Sequence, residues 1–187
     1  MIPEQYEKAK YNNVPKDIRD RLEVIMTSRR GMYIHGSVGT GKTYIAYALK
    51  AEWDSRATVK SMFWDATELM REIKADFDRP AEAKTRAEQR IMDFKGLLFI
   101  DDIGAEKMTD FVAETMHVII NHRYNNRMPV IFTSNFPVSD LANHLGGLAG
   151  ERIASRIVQE CDIIELTGDD KRMKDPRKIK LRSPFAN

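Results

Sequence analysis

The amino-acid sequence predicts an α/β fold, in which a five-stranded parallel sheet carries helices on both of its faces. Short runs rich in β-branched and aromatic residues alternate with longer segments whose apolar residues recur every three or four positions. Two of the short runs are almost continuously apolar, which is typical of strands buried on both faces. The 187 residues, 42% of them hydrophobic, suffice for one core of ordinary size.

Five segments are predicted as strands and five as helices. The strands are residues 31–36, 58–64, 96–102, 128–135 and 161–168, and the helices are residues 43–53, 65–77, 80–94, 110–125 and 150–160. Asp65 is the expected N-cap of the second helix, because its carboxylate can accept a hydrogen bond from the first turn. Pro80 is expected to open the third helix, since proline suits the first helical position. This alternation predicts parallel strands joined by helical crossovers.

Composition restricts the classes of function. Charged residues make up 31% of the chain and the net charge is only +2, so any surface for nucleic acid has to be a local patch. Cys161 is the one cysteine, which excludes a disulfide framework and a cysteine-based zinc site. The first residues lack an apolar signal core and no run approaches 18 apolar residues, so we expect a soluble, cytoplasmic protein without a membrane segment.

The segment between the first strand and the first helix carries a complete phosphate-loop pattern. It matches G-x-x-x-x-G-K-[ST] with Gly36, Ser37, Val38, Gly39, Thr40, Gly41, Lys42 and Thr43. Bare glycines let successive backbone N–H groups turn inward around a polyphosphate, and the next helix points its positive dipole end at the same anion. We expect Lys42 to reach the β- and γ-phosphates and Thr43 to ligate Mg²⁺. The alternative, a glycine-rich loop that only turns the chain, is disfavoured by the full pattern in this setting.

Polar residues follow two further buried strands. Asp101 and Asp102 end the run Leu-Leu-Phe-Ile at the C-terminal edge of the sheet, where open α/β folds bind ligands. We expect Asp101 to hold Mg²⁺ through water, and Asp102 to orient or deprotonate the attacking water. Asn135 follows a strand predicted to lie between the two motif strands, where its amide can contact the γ-phosphate or position the water. Without the phosphate loop, the aspartates would suit an ordinary turn, and Asn135 would suit a helix cap or a turn.

With these motifs the chain resembles the AAA+ ATPases, and more narrowly the DnaC-like helicase loaders and the IstB-type transposition ATPases. The resemblance covers roughly residues 30–172 and rests on the segments GSVGTGKTYIAYAL, LLFIDDIGAEKMTDF, INHRYNNRMPVIFTSNF and LAGERIASRIVQECDIIELTGDDKR. It implies a P-loop NTPase core, a three-layer sandwich of the ASCE/AAA+ type, without a C-terminal helical lid domain. We expect a short N-terminal helical lead-in (1–30), an ATPase core (31–168) and a basic tail (169–187).

The resemblance also implies roles for two arginines of the last helix. Arg156 matches the position of an arginine finger that reaches the nucleotide of a neighbouring subunit, and Arg152, one turn earlier, matches a second basic position that supports assembly. A guanidinium supplied in trans neutralises charge that develops on the γ-phosphate, which is worth about 10³–10⁵ in rate in GTPases. The alternative is that two arginines four residues apart form one solvated helical stripe.

The resemblance implies that the protein is an ATPase, that it binds ATP and Mg²⁺, and that it forms an ATP-dependent homo-oligomer. It would act on a DnaB-like helicase and single-stranded DNA in replication initiation. Two alternatives stay open: an IstB-like regulator that binds duplex DNA and a transposase, and a DNA-binding adaptor that ATP switches without hydrolysis. Only about thirty residues precede the first strand, whereas DnaC-like loaders carry an N-terminal region that contacts the helicase.

Two further features are candidates for contact with nucleic acid. The tail from Lys171 to Arg182 holds seven basic residues and one acid, which suits phosphate binding and equally suits a solvated segment. Single-strand binders stack bases on aromatic side chains, and Trp53, Phe63 and Trp64 lie near the ends of predicted elements. At such positions, aromatic residues are more often part of the core.

Overall fold

The computed structural model describes residues 3–28, 30–83, 86–106 and 109–170, and it confirms the predicted α/β fold. Within these ranges the strands are β1 (Gly31–His35), β2 (Met62–Asp65), β3 (Leu98–Asp101), β4 (Val130–Ser134) and β5 (Cys161–Glu165). The helices are α1 (Lys16–Ser28), α2 (Lys42–Arg56), α3 (Ala66–Asp78), α4 (Ala87–Asp93), α5 (Asp110–Asn125), α6 (Val138–Leu145) and α7 (Gly147–Glu160). None of these helices is long and apolar enough to cross a membrane.

The five strands form one parallel sheet in the order β2-β3-β4-β1-β5. Strand β4 therefore lies between β1 and β3, as the sequence predicted. The register aligns His35 of β1 with Ser134 of β4, and Ile100 of β3 with Phe132 of β4. Because the C-terminal ends of these three neighbouring strands meet at one edge, the loops that follow them can build a common site.

Both faces of the sheet are buried, because the strands direct alternate side chains into two apolar clusters. Met32 and Ile34 of β1 pack with residues of α1 and α2, whereas Tyr33 between them packs with residues of α3 to α7. Strand β3 shows the same alternation, since Phe99 belongs to the cluster with α1 and α2, and Ile100 belongs to the cluster with α3 to α7. Burial on both faces explains why these strands are continuously apolar in the sequence.

The predicted helix over residues 80–94 is wrong in its extent. Ala81–Ala83 forms a 3₁₀ turn, and α4 begins only at Ala87. Arg86 adopts a left-handed conformation with φ of +53°, which a continuous α-helix does not allow. The Asp76 carboxylate of α3 accepts a hydrogen bond from the Ala87 N–H at 3.2 Å, so a contact with another helix contributes to the observed start.

Other differences concern boundaries and one additional helix. Strand β2 begins at Met62 rather than at residue 58, α7 begins at Gly147 rather than at residue 150, and α6 was not predicted. The N-cap prediction for α3 is confirmed, because the Asp65 carboxylate accepts a hydrogen bond from the Glu68 N–H at 2.9 Å.

Candidate active site

The loops that follow β1, β3 and β4 converge around the side chain of Lys42, the first residue of α2. Its ammonium group donates hydrogen bonds to the backbone oxygens of Gly36 at 2.8 Å and Ser37 at 2.9 Å, and to Asn135 Oδ1 at 2.8 Å. The residue is only 7% exposed. The cation is therefore held at the centre of the phosphate loop by oxygen acceptors, two from the loop itself and one from the end of β4.

The phosphate loop has the backbone that its glycines predict. Gly41 has φ of +100° at the N-cap of α2, and Gly36 has φ of +149°, conformations that side-chain-bearing residues rarely adopt. A Cβ atom at residue 36 would also collide with the carbonyl oxygen of Leu166. The N-cap residue of α2, Gly41, has no side chain that could cap the helix, so the first N–H groups of α2 are available to an anion in the loop.

Asp101 lies beside the phosphate loop at the end of β3, and hydroxyl groups from two other elements approach it. Thr133 Oγ1 of β4 donates a hydrogen bond to Asp101 Oδ1 at 2.5 Å, and the Thr43 hydroxyl is near enough to the same carboxylate to lower its pKa. Burial raises the pKa of Asp101, and these two hydroxyls oppose that rise. Such a carboxylate is destabilised as a bare anion, and a bound cation would relieve that cost.

Asp102 has a left-handed backbone, with φ of +58°, and this conformation directs it differently from its neighbour. Its N–H donates to Thr133 Oγ1 at 2.8 Å, and its Oδ1 accepts a hydrogen bond from Asn135 Nδ2 at 2.8 Å. Burial raises the pKa of Asp102, while the charge of Lys42 opposes the rise. Asn135 thus joins Lys42 to Asp102 through its two amide atoms.

Asn135 does not serve as the cap of the following helix. The residue at the N-cap position of α6 is Pro137, which makes no side-chain cap hydrogen bond. The alternative interpretation of Asn135 as a helix cap is therefore wrong, and its described contacts are to Lys42 and Asp102.

The residues predicted to hold Mg²⁺ have the chemistry that this ion prefers. The Thr43 hydroxyl and the Asp101 carboxylate are hard oxygen donors that line the same open cleft, of about 750 Å³, together with Asp102. In the part of the chain that the structure describes, no group of three or more His, Cys, Asp or Glu side chains could hold a metal by itself. Mg²⁺ characteristically uses one or two protein ligands together with nucleotide phosphates and water, which fits this donor set.

Arg152 and Arg156 do not join this site within one chain. They line a separate cavity of about 330 Å³ between α5 and α7, together with His117, Asn121 and Ser155. Burial lowers the pKa of His117, and the two arginine charges lower it further. The cavity brings the positive charges of the two arginines together on one surface. Such a concentration of charge favours binding of an anion that belongs to another molecule.

Two site residues were missed by sequence reasoning. Thr133 bridges the side chain of Asp101 and the backbone of Asp102, and its signal was a hydroxyl residue inside an apolar strand. Glu106 is 4% exposed, and its Oε2 accepts a hydrogen bond from the Gly104 N–H at 3.0 Å in the loop after Asp102. Burial raises the pKa of Glu106. Nothing in the local pattern distinguished this residue from an exposed loop glutamate.

Of the aromatic candidates for base stacking, Trp53 belongs to the core, whereas Phe63 and Trp64 are partly buried against it and also line the open cleft beside Asp101 and Asp102. Trp53 is buried, and the ring of Phe63 stacks between those of Tyr47, at 4.2 Å, and Phe99, at 5.7 Å. Trp64 is half-buried and packs against the apolar cluster that contains residues of α3 to α7. The basic residues from Lys171 onward lie outside the described residues.

Comparison with known proteins identifies a matching family and similar relatives. A family model described as "IstB-like ATP binding protein" matches residues 14–179. The replicative helicase loader DnaI of Bacillus subtilis (strain 168) is 31% identical over 153 residues, which are 76% of this chain and 48% of that protein. The chain thus spans about half the length of that relative.

Two solved structures have the same architecture. The crystal structure of the DnaC helicase loader superimposes with a TM-score of 0.75 at 25% identity, over 88% of this chain and 100% of that one. The crystal structure of DnaI gives a TM-score of 0.75 at 28% identity, over 92% of this chain and 95% of that one. The shared fold therefore extends over nearly all of the matched structures.

Proposed function

Because the chain belongs to the IstB-like ATP binding protein family, we propose that it is a Mg²⁺-dependent ATPase that loads a DnaB-like replicative helicase onto single-stranded DNA. One observation carries the enzymatic part of the proposal. The hydrogen-bonded series from Lys42 through Asn135 to Asp102 lies beside Thr43 and Asp101. A phosphate-binding cation, a polar amide, a candidate base and a candidate metal site thus meet at one edge of the sheet.

Each of these residues has a role that follows from its position. Lys42 exchanges its backbone oxygen acceptors for the β- and γ-phosphates when ATP enters the loop. Thr43 and Asp101 hold Mg²⁺, which neutralises charge on the phosphates when bound. Asp102 orients or deprotonates the attacking water, and burial supports this role because it raises the pKa of the carboxyl toward the working range of a base. Asn135 fixes the direction of Asp102 and contacts the γ-phosphate.

A second copy of the chain supplies the arginine side chains that the nucleotide site of one chain lacks. Arg156 and Arg152 lie on a different surface from Lys42, so they can serve a nucleotide only in a second copy of the chain. A contact between unlike surfaces of identical chains is heterologous, and it repeats as a ring or a helix. We therefore propose an ATP-dependent homo-oligomer in which Arg156 reaches the γ-phosphate of the neighbour and Arg152 supports the contact.

The partner is proposed from the relatives. DnaI carries the description of a replicative helicase loader, and the solved DnaC structure that this fold matches is that of a helicase loader. The IstB-like description of the family supports a second candidate, a transposition regulator that binds duplex DNA and a transposase. The third possibility, an ATP-switched adaptor, shares the nucleotide site but does not turn over ATP.

Two assays separate these functions. The tagged chain, with ATP and Mg²⁺, is incubated with a purified DnaB-like helicase and, in a parallel sample, with a transposase. ATP turnover is measured alone, with single-stranded DNA and with duplex DNA, and Lys42→Ala serves as the control that cannot bind nucleotide. Capture of the helicase and stimulation by single strands support the loader. Capture of the transposase with stimulation by duplex supports the regulator, and ATP binding without turnover supports the adaptor.

A further inference from the structure

The guanidinium group of Arg156 is held in a defined orientation by residues of its own chain. Its Cζ lies 4.0 Å from the centre of the Tyr124 ring, within the range of a cation–π contact. Nε donates a hydrogen bond to Asn121 Oδ1 at 3.3 Å, and Nη1 donates to Gln159 Oε1 at 3.0 Å. Two of these three partners, Tyr124 and Asn121, belong to α5, against which α7 packs.

These contacts leave part of the guanidinium available. In the part of the chain that the structure describes, Nη2 of Arg156 makes no hydrogen bond. Arg156 lines the cavity between α5 and α7 that also contains Arg152 and His117. Cζ of Arg156 lies over the ring of Tyr124 and Asn121 accepts from Nε, so the remaining N–H groups have a restricted direction.

Fixing an arginine in advance favours the binding of an anion. A free arginine side chain loses rotamer freedom when it forms a directed contact, and this loss weakens the contact. A side chain already held by a ring and two acceptors loses less, and the contact is then stronger at the moment when charge develops on a phosphate.

We propose that Tyr124, assisted by Asn121, is a positioning residue that orients Arg156 toward the nucleotide bound by a second copy of this chain. This inference rests on the proposed function, because it requires Arg156 to act in trans. It assigns a task to the aromatic residue of the Arg-Tyr-Asn segment at the end of α5, which neither the phosphate loop nor the metal site uses.

The test compares kcat and KM for ATP at protein concentrations high enough for assembly. Tyr124→Leu removes the ring face, and we expect kcat to fall roughly 3- to 30-fold while KM changes little. Tyr124→Phe keeps the ring face and removes only the hydroxyl, so it should retain nearly the wild-type kcat. Asn121→Ala should lower kcat roughly two- to fivefold, and it provides a second variant if Tyr124→Leu does not fold.

The double variant Tyr124→Leu/Arg156→Ala distinguishes positioning from a general structural effect. If Tyr124 acts through Arg156, the double variant turns over ATP no more slowly than Arg156→Ala alone. An equal further loss in the Arg156→Ala background, or wild-type kcat in both Tyr124→Leu and Asn121→Ala, would overturn the inference. Full turnover by Arg156→Ala itself would instead refute the trans role under the proposed function.

Discussion

Replacing Asn135 by alanine tests whether the series that joins the phosphate loop to the candidate base matters for hydrolysis. In the structure, Asn135 Oδ1 accepts from the Lys42 ammonium and Asn135 Nδ2 donates to the Asp102 carboxylate, both at 2.8 Å. Hydrogen bonds to charged groups are worth about 1.5–3 kcal/mol each. If one such bond to the base or the γ-phosphate is lost in the transition state, kcat falls roughly 10- to 150-fold.

The effect on binding should be much smaller, because Asn135→Ala leaves Lys42 and the glycine-rich backbone of the loop, which are the proposed phosphate ligands, unchanged. We expect the Kd for ATP, measured by calorimetry, to change by less than about threefold, while steady-state phosphate release shows the loss in kcat. Asn143→Ala, at an exposed position of α6, is the matched control and should keep wild-type turnover. A wild-type kcat in Asn135→Ala would refute the role of this amide.

Three further predictions concern the carboxylates and the core. Asp102→Asn should still bind ATP while kcat, followed by phosphate release, falls at least about 100-fold, and unchanged turnover would remove this residue from the mechanism. Asp101→Asn should raise the melting temperature of the nucleotide-free protein at neutral pH. Burial raises the pKa of Asp101, so the ionised carboxylate destabilises the native state at neutral pH. The difference between variant and wild type should shrink as pH falls toward about 4, where the carboxyl of the unfolded chain is also protonated; a difference independent of pH would contradict this. Arg123→Ala should lower the free energy of unfolding by at least about 3 kcal/mol in a denaturant titration, because four backbone carbonyls each lose one hydrogen bond, whereas exposed Arg90→Ala should change it little.

The parts that sequence reasoning predicted well are those that local chemistry determines. The phosphate loop needs glycines at left-handed positions, and a strand buried on both faces has to be apolar, so both leave a pattern in consecutive residues. The convergence of Lys42, Asp101 and Asn135 then follows from strand order, because parallel strands bring their C-terminal ends to one edge.

The parts that sequence reasoning missed depend on contacts between distant segments. The start of α4 coincides with a hydrogen bond from the Ala87 N–H to the Asp76 carboxylate. The local sequence after Pro80, from which the longer helix was predicted, carries no signal of this contact. Thr133 looked like an ordinary β-branched strand residue until the structure placed it between the two aspartates. The orientation of Arg156 depends equally on Tyr124, a residue of another helix.

The central claim is that a triphosphate and its metal bind where Lys42, Asp101 and Asp102 meet. Isothermal titration of the wild-type chain and of Lys42→Ala with ATP, in the presence of Mg²⁺, tests this claim most directly. The wild type should give a saturable binding isotherm with one site per chain, and the variant should give none. Equal isotherms for the two proteins, or no heat of binding for the wild type, would contradict the account.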